Sequence, residues 1–408
     1  MKECDVPQLV DHLFRRETGR IIAALTRFVG VKNLALVEDV VQEALIRALE
    51  LWPFQGVPDN PAAWLIQVAK NRALDRLRRE TSLAGKLCAI PQFAEQRPLE
   101  PFDDDEVAML FLCSHPALSP EARLALTLKL GGGFGVREIA RAFLAEESAI
   151  AQRLVRAKRQ IREQALTFEM PGDREMPERL ESVLAVLYLI FNEGYGALRG
   201  DLCEEAIRMA RLIAQHPVTS LPSAHALLAL FLFHSSRFAA RLDPTGALLL
   251  LTDQDRTRWD RRRIHEGFIF LDQSAAGDVV TPYHLEACIA AAHAAAAEGC
   301  STGDASYTDW AQIVELYDQL YALKPSPVVA LNRAVAIARL DGPRAGIEEI
   351  ERIRSQPGLE RYYLTHAALG ALWRELQDED KSRSHFRQAL ECSCSEVERQ
   401  FLEQRLSL

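Results

Sequence analysis

The sequence predicts an all-α protein in three parts: two small helical domains, the second with a helix-turn-helix, and a C-terminal α-helical repeat domain. Three observations predict it. Residues 136–162, VREIARAFLAEESAIAQRLVRAKRQIR, hold two helical apolar patterns around a short break at Leu144–Glu146. Residues 34–52 and 60–80 are two amphipathic helical patterns, one acidic and one basic on its outer face. Residues 177–408 hold about eleven amphipathic helices and no convincing strand.

In residues 34–52, LALVEDVVQEALIRALELW, the side chains Val37, Val41, Ala44, Leu45, Ala48 and Leu49 recur at helical spacing and are expected inside. Glu38, Asp39, Gln42, Glu43 and Glu50 leave an acidic, polar outer face. Residues 60–80, NPAAWLIQVAKNRALDRLRRE, open with Asn60 as N-cap and Pro61 at the first helical position. Leu65, Val68, Ala69, Ala73 and Leu77 make the apolar face; Lys70, Asn71, Arg76, Arg78 and Arg79 lie largely on other faces, with Trp64 near the start. A basic helix with an aromatic ring at one end suits single-stranded DNA, because phosphates meet cations while a base stacks on the ring.

Residues 86–112 are expected to be a linker. Helical periodicity fades from residue 81, Pro91, Pro98 and Pro101 gather, and Asp103–Glu106 reads as a solvated acidic run rather than a magnesium site.

Residues 113–168 form the expected second domain. Gly131–Gly133 separates its first helix from the helix-turn-helix. Val136, Ile139, Ala140 and Phe143 face inward, as do Ile150, Leu154, Ala157 and Ile161. Small Ala140 lets the two helices cross closely, with Ile150 ten residues later beneath it. Gln152, Arg153, Arg156, Lys158, Arg159 and Arg162 stay outside, so the second helix offers a basic face to a DNA major groove. Many such units hold Gly where this chain has Leu144, and a left-handed turn is costly for a branched side chain, so a wider turn is expected.

A second linker is expected at 169–176, and the repeat domain at 177–408. Examples of its helices are placed at 178–192, 203–215, 222–237, 283–298, 308–323, 327–340, 345–355, 360–377 and 379–391. VVALNRAVAIARLDGPRAGIEEIERI and YLTHAALGALWRELQDEDKSRSHFRQAL align with a shift of roughly 34 residues, the tetratricopeptide period. Such stacks make a concave groove for peptides or other domains. The cluster Asp253, Asp255, Arg256, Arg258, Trp259 and Asp260 reads as salt bridges and helix caps. Neither it nor Glu193 and His265–Glu266 brings nucleophile–base spacing or a phosphate loop. Asp341–Gly342–Pro343 reads as a helix-ending turn.

A hydrophobic fraction of 48% and a charged fraction of 26% are those of a soluble globular protein. No run approaches the roughly 18 apolar residues of a membrane span, and the start has no signal-peptide core, so a cytoplasmic protein is expected. The eight cysteines are scattered and read as reduced thiols, with no metal site. The net charge of −9 is unevenly held: residues 1–165 carry +1 and the remainder −10. The acidic C-terminal part is therefore expected to bind protein rather than DNA.

The first 165 residues resemble a bacterial RNA polymerase sigma factor of the extracytoplasmic-function type. EDVVQEALIRAL resembles the helix that docks on the polymerase clamp. NPAAWLIQVAKNRALDRLRRE resembles the part that opens and reads the minus-ten element, and LSPEARLALTLKL with the helix-turn-helix resembles the minus-thirty-five reader. IFNEGY, LLTDQDRTRWDR, TDWAQI and SPVVALNRAVAIARLDGP resemble the subfamily with a fused tetratricopeptide-like C-terminal domain. The resemblance implies binding to core RNA polymerase, at the beta-prime clamp and beta flap, and to promoter DNA. It implies no catalysis by this chain and no cofactor. It assigns Glu38, Asp39, Gln42 and Glu43 to polymerase, and Trp64, Lys70, Asn71, Arg72 and Arg76 to the minus-ten region. Arg137, Ser148, Ala149, Gln152, Arg153, Arg156 and Lys158 fall to the minus-thirty-five region. The repeat domain is expected to dock on both sigma domains through apolar residues such as Phe191 and Tyr195, controlling activity in cis, with a protein partner in its groove. The alternative is a one-component regulator that binds DNA by its helix-turn-helix and senses a ligand through the repeats; residues 34–80 are what such a regulator does not need.

Overall fold

The computed structural model describes residues 6–83, 103–143, 145–244, 246–298, 308–392 and 396–407. Among these residues every regular element is helical, and the isolated antiparallel bridge Leu242–Leu248 is the nearest thing to a sheet. The chain divides into two compact units, Met1–Thr219 and Ser220–Leu408.

The first unit holds α1 (Val6–Val29), α2 (Leu34–Gln55), α3 (Pro61–Leu83), α4 (Asp103–Cys113) and α5 (Pro120–Leu126). It continues with a π segment (Thr127–Gly131), α6 (Val136–Ala142), α7 (Glu147–Glu163), α8 (Met176–Gly196) and α9 (Gly200–Gln215). Local chemistry fixes several ends. Asn60 accepts from the Ala63 backbone N–H at 3.0 Å, so α3 starts at Pro61 as the sequence indicates. Ser119 caps α5 in the same way, again with Pro next. Gly56, at φ +83°, ends α2 just beyond Pro53. α1 runs so close to the π segment that a Cβ on Gly19 would collide with the Gly131 carbonyl oxygen.

The apolar faces of the helix-turn-helix are as expected: Ile139, Ala140, Ile150, Leu154, Ala157 and Ile161 are all buried. Burying a side chain of Leu or Ile size contributes roughly 1.5–3 kcal/mol, enough to hold a short α6 against α7. Leu144 lies outside the described residues, as do 84–102 of the expected linker.

Four expectations need correction. Residues 103–112 are not linker: they form α4, whose Val107, Met109, Leu110, Phe111 and Leu112 are core. Nor is the acidic run wholly solvated: Asp104 is exposed, but Asp105 and Glu106 are 4% and 7% exposed. Proline counting misread an amphipathic helix that begins in charge. Leu49 of α2 is also outside, at 44% exposure, because the inward face follows Val37, Val40, Val41, Ala44 and Ala48. Finally, the compact boundary falls after Thr219, not at 177: α8 and α9 pack with the preceding helices.

The second unit holds α10 (Pro222–Ser236), α11 (Arg261–Ser274), α12 (Pro282–Glu298), α13 (Trp310–Leu323), α14 (Pro327–Asp341), α15 (Pro343–Ile353), α16 (Tyr363–Glu375), α17 (Glu379–Glu391) and α18 (Glu396–Ser407). Most pack mainly on their chain neighbours, α12 packs most closely on α10, and Gly342 at φ +97° makes the tight α14–α15 turn. The polar cluster at 253–260 works as caps and pairs. Asp255 accepts from the Thr257 N–H, Asp260 caps α11, and Asp253 pairs with Arg405. Among the described residues no helix is long and apolar enough to cross a membrane.

Candidate polymerase and promoter interface

The α2 outer face is less open than its sequence indicates. Asp39 and Gln42 are exposed and Glu43 is half-buried, but Glu38 is buried. Its carboxylate pairs with Lys158 of α7, 120 residues away. Arg76 of α3 donates to Asp39 at 3.3 Å and also to Glu43. Three acids expected to meet polymerase and two cations expected to meet promoter DNA are thus paired with one another.

On α3, Asn71 and Arg72 are exposed. Trp64 is half-buried and meets Trp52 edge to face, with ring centroids 5.5 Å apart. Lys70 departs from expectation. It is 4% exposed, with its ammonium 5.0 Å from the Phe28 ring centroid, so it braces α1 against α3 rather than facing outward. On the helix-turn-helix, Arg137, Ser148, Ala149, Gln152 and Arg156 are exposed and Arg153 half-buried. Arg137 lies 3.7 Å from Glu147 at the α7 N-terminus. Gln160 donates to the Ala117 carbonyl at 2.7 Å, seating α7 on the turn before α5.

α4 is fastened from two sides. Glu106 lies 3.4 Å from Arg20 of α1 and 2.9 Å from Arg208 of α9. Arg208 also donates to the Gly131 carbonyl and pairs with Glu205. Burial pushes the Glu106 carboxyl up, against the two guanidinium groups that favour its charge. Asp105 pairs with Arg27 at 3.1 Å, and His216, following α9, meets Asp104 at 2.8 Å. From α8, Arg179 donates to the Phe111 carbonyl at 2.8 Å and lies over the Phe111 ring. None of Arg20, Arg179 or Arg208 stood out in the sequence, since each is one cation on an amphipathic helix. Phe191 is buried and stacks on half-buried Tyr195, while its carbonyl accepts from the Cys203 thiol of α9. A Cβ on Gly194 would collide with Leu202, so this part of α8 packs closely on α9.

Residues 13–82, spanning α1 to α3, match the Sigma-70 region 2 family. Residues 179–275 match a family of unknown function, DUF6596. An uncharacterized protein, R00370 of Rhizobium meliloti (strain 1021), is 38% identical over 400 residues, covering 94% of this chain and 92% of that protein. The chain belongs to the same family as that protein. Its sigma-70 region 2 domain supports a sigma-factor role in promoter recognition and transcription initiation, with core RNA polymerase and promoter DNA as partners. Sigma-70 proteins are transcription factors, not enzymes.

Proposed function

We propose that this chain is a sigma factor of the extracytoplasmic-function type whose own C-terminal extension, with tetratricopeptide-like repeats, controls it in cis. Asp39, Gln42 and Glu43 meet the beta-prime clamp. Trp64, Asn71, Arg72 and Arg76 act at the minus-ten element. Arg137, Ser148, Ala149, Gln152, Arg153 and Arg156 act at the minus-thirty-five element, with the beta flap holding that domain. The reading rests on one observation above others: Glu106 is held at once by Arg20 of the region 2 match and by Arg208 of the DUF6596 match. The extension thereby sets how α1 and α4 sit together. Contact runs through Arg179 and Arg208, with Phe191 and Tyr195 stiffening the α8–α9 hairpin that carries them.

In this reading the paired state is the resting one. Arg76 is 39% exposed, and ion pairs at such sites are worth about 0–1 kcal/mol, so a basic polymerase surface can take over Asp39 and Glu43. Displacing Lys158 from Glu38 frees it for DNA phosphate. Asp39→Arg with Glu43→Arg keeps the fold and abolishes co-purification with core RNA polymerase. Unchanged co-purification overturns the α2 assignment. A chain that binds promoter DNA equally well with and without polymerase is the one-component regulator instead.

A further inference from the structure

We infer that the second unit carries a binding site for an amphipathic small molecule with an apolar chain and a single anionic head, of the medium-chain carboxylate type. The inference is independent of the promoter-binding reading. A cavity of about 590 Å³ lies between α14, α16 and α18, closed on one side by the segment 250–253. That volume is within the range of about 300–1,000 Å³ that takes drug-sized ligands. Its walls are segregated. Leu331, Val335, Leu364 and Ala368 give an apolar body, and the alanines Ala367, Ala368 and Ala371 keep the α16 wall low.

The charges collect at one end, at the C-terminal turns of α14, α16 and α18. Arg339, Arg374 and Arg405 face two carboxylates, Asp253 and Glu375. Arg339 pairs with Glu375 at 2.9 Å and Arg405 with Asp253, which leaves an excess of one cation. The distance from Leu331 to Arg339 is about 12 Å at 1.5 Å per helical residue, which suits an extended chain running from the apolar body to the cationic end. Leu250 and Leu364 remain 37% and 39% exposed beside the cavity, apolar surface that such a chain would cover.

Trp310 lines the cavity, so full-length protein can be titrated with decanoate below its micelle concentration, following tryptophan fluorescence and calorimetric heat. The expected result is saturable one-to-one binding, at least tenfold tighter than decyltrimethylammonium. Arg405→Gln cancels the cation excess and weakens decanoate about tenfold. Ala368→Trp fills the cavity and abolishes binding, with Val335→Phe as a second filler should the first unfold by circular dichroism. Trp310→Phe removes the fluorescence change and keeps the heat. Absence of saturable heat overturns the inference, as does equal binding of the cationic surfactant or undiminished binding in folded filler variants. Binding of a leucine-rich peptide without decanoate binding overturns it too, and makes the groove a peptide site.

Discussion

The two units use charge in opposite ways. In the first, decisive ion pairs join distant stretches of chain: Glu38 with Lys158, Glu106 with Arg208, and Asp104 with His216, all more than 100 residues apart. In the second, Arg333 pairs with Asp318 and Glu349, and Arg339 with Glu375, each on a helix close by in sequence; Arg405 with Asp253 is a long-range exception. The first unit is therefore knit into one body whose parts depend on each other. The second is a stack whose stability is close to a sum over neighbouring helices. A site in the first is sensitive to its remote fasteners, whereas a site in the second is sensitive chiefly to its own walls.

The strongest way to break the comparison is truncation. A chain ending after Gly172 loses Arg179 and Arg208 and leaves Glu106 with Arg20 alone, so it should fold poorly and lose promoter-specific transcription. A chain ending after Thr219 retains the whole first unit and should keep a cooperative melt. Equal transcription from the Gly172 truncation and the full chain would make the extension a passenger.

Arg208→Ala should cost about 3 kcal/mol in urea unfolding, because it removes the nearer cation from a buried carboxylate. Arg208→Met with Glu106→Gln should recover most of that, since the loss comes from an unpaired charge and not from missing contacts. A near-zero effect of the single variant would show that Arg20 alone suffices.

The second unit should respond to pH through His293. Burial holds its pKa down to about 3, with Arg237 and Arg256 adding to the effect, and burial also lowers His234. The unfolded chain takes up the proton first, so stability is full above about pH 6.5 and declines as pH falls towards 3. Between pH 7.5 and 4.5 the decline attributable to His293 should be about 3 kcal/mol, and His293→Asn should flatten it in thermal melts. An identical slope in the variant would move the effect to other groups.

The smallest expected effect is Arg333→Met, at about 0.5–1 kcal/mol. Its partners are next-neighbour acids near the surface, and hydrogen exchange should loosen α13 to α15 and leave the rest of the stack alone. Loosening that spreads across the whole unit would erase the contrast between the two.

Local patterns carried much of this molecule. The spacing of Ile150, Leu154, Ala157 and Ile161 in α7 and the Asn60–Pro61 start of α3 needed only side-chain size, helical period and capping chemistry. The exposed site candidates Asp39, Asn71, Arg72, Gln152 and Arg156 were legible for the same reason. The capping role of Asp255 and Asp260 was also readable, because an Asp directly before a helix caps it wherever the helix goes. What failed was the fate of charges whose partners are remote. Glu38 and Lys70 read as surface groups and are buried, and Asp105 and Glu106 read as linker and are core. Sequence states how many charges a helix holds and on which face, since those depend on neighbours three and four residues away. Whether a face meets water, polymerase or another helix of the same chain depends on contacts far off in the sequence, and only the tertiary structure decided those.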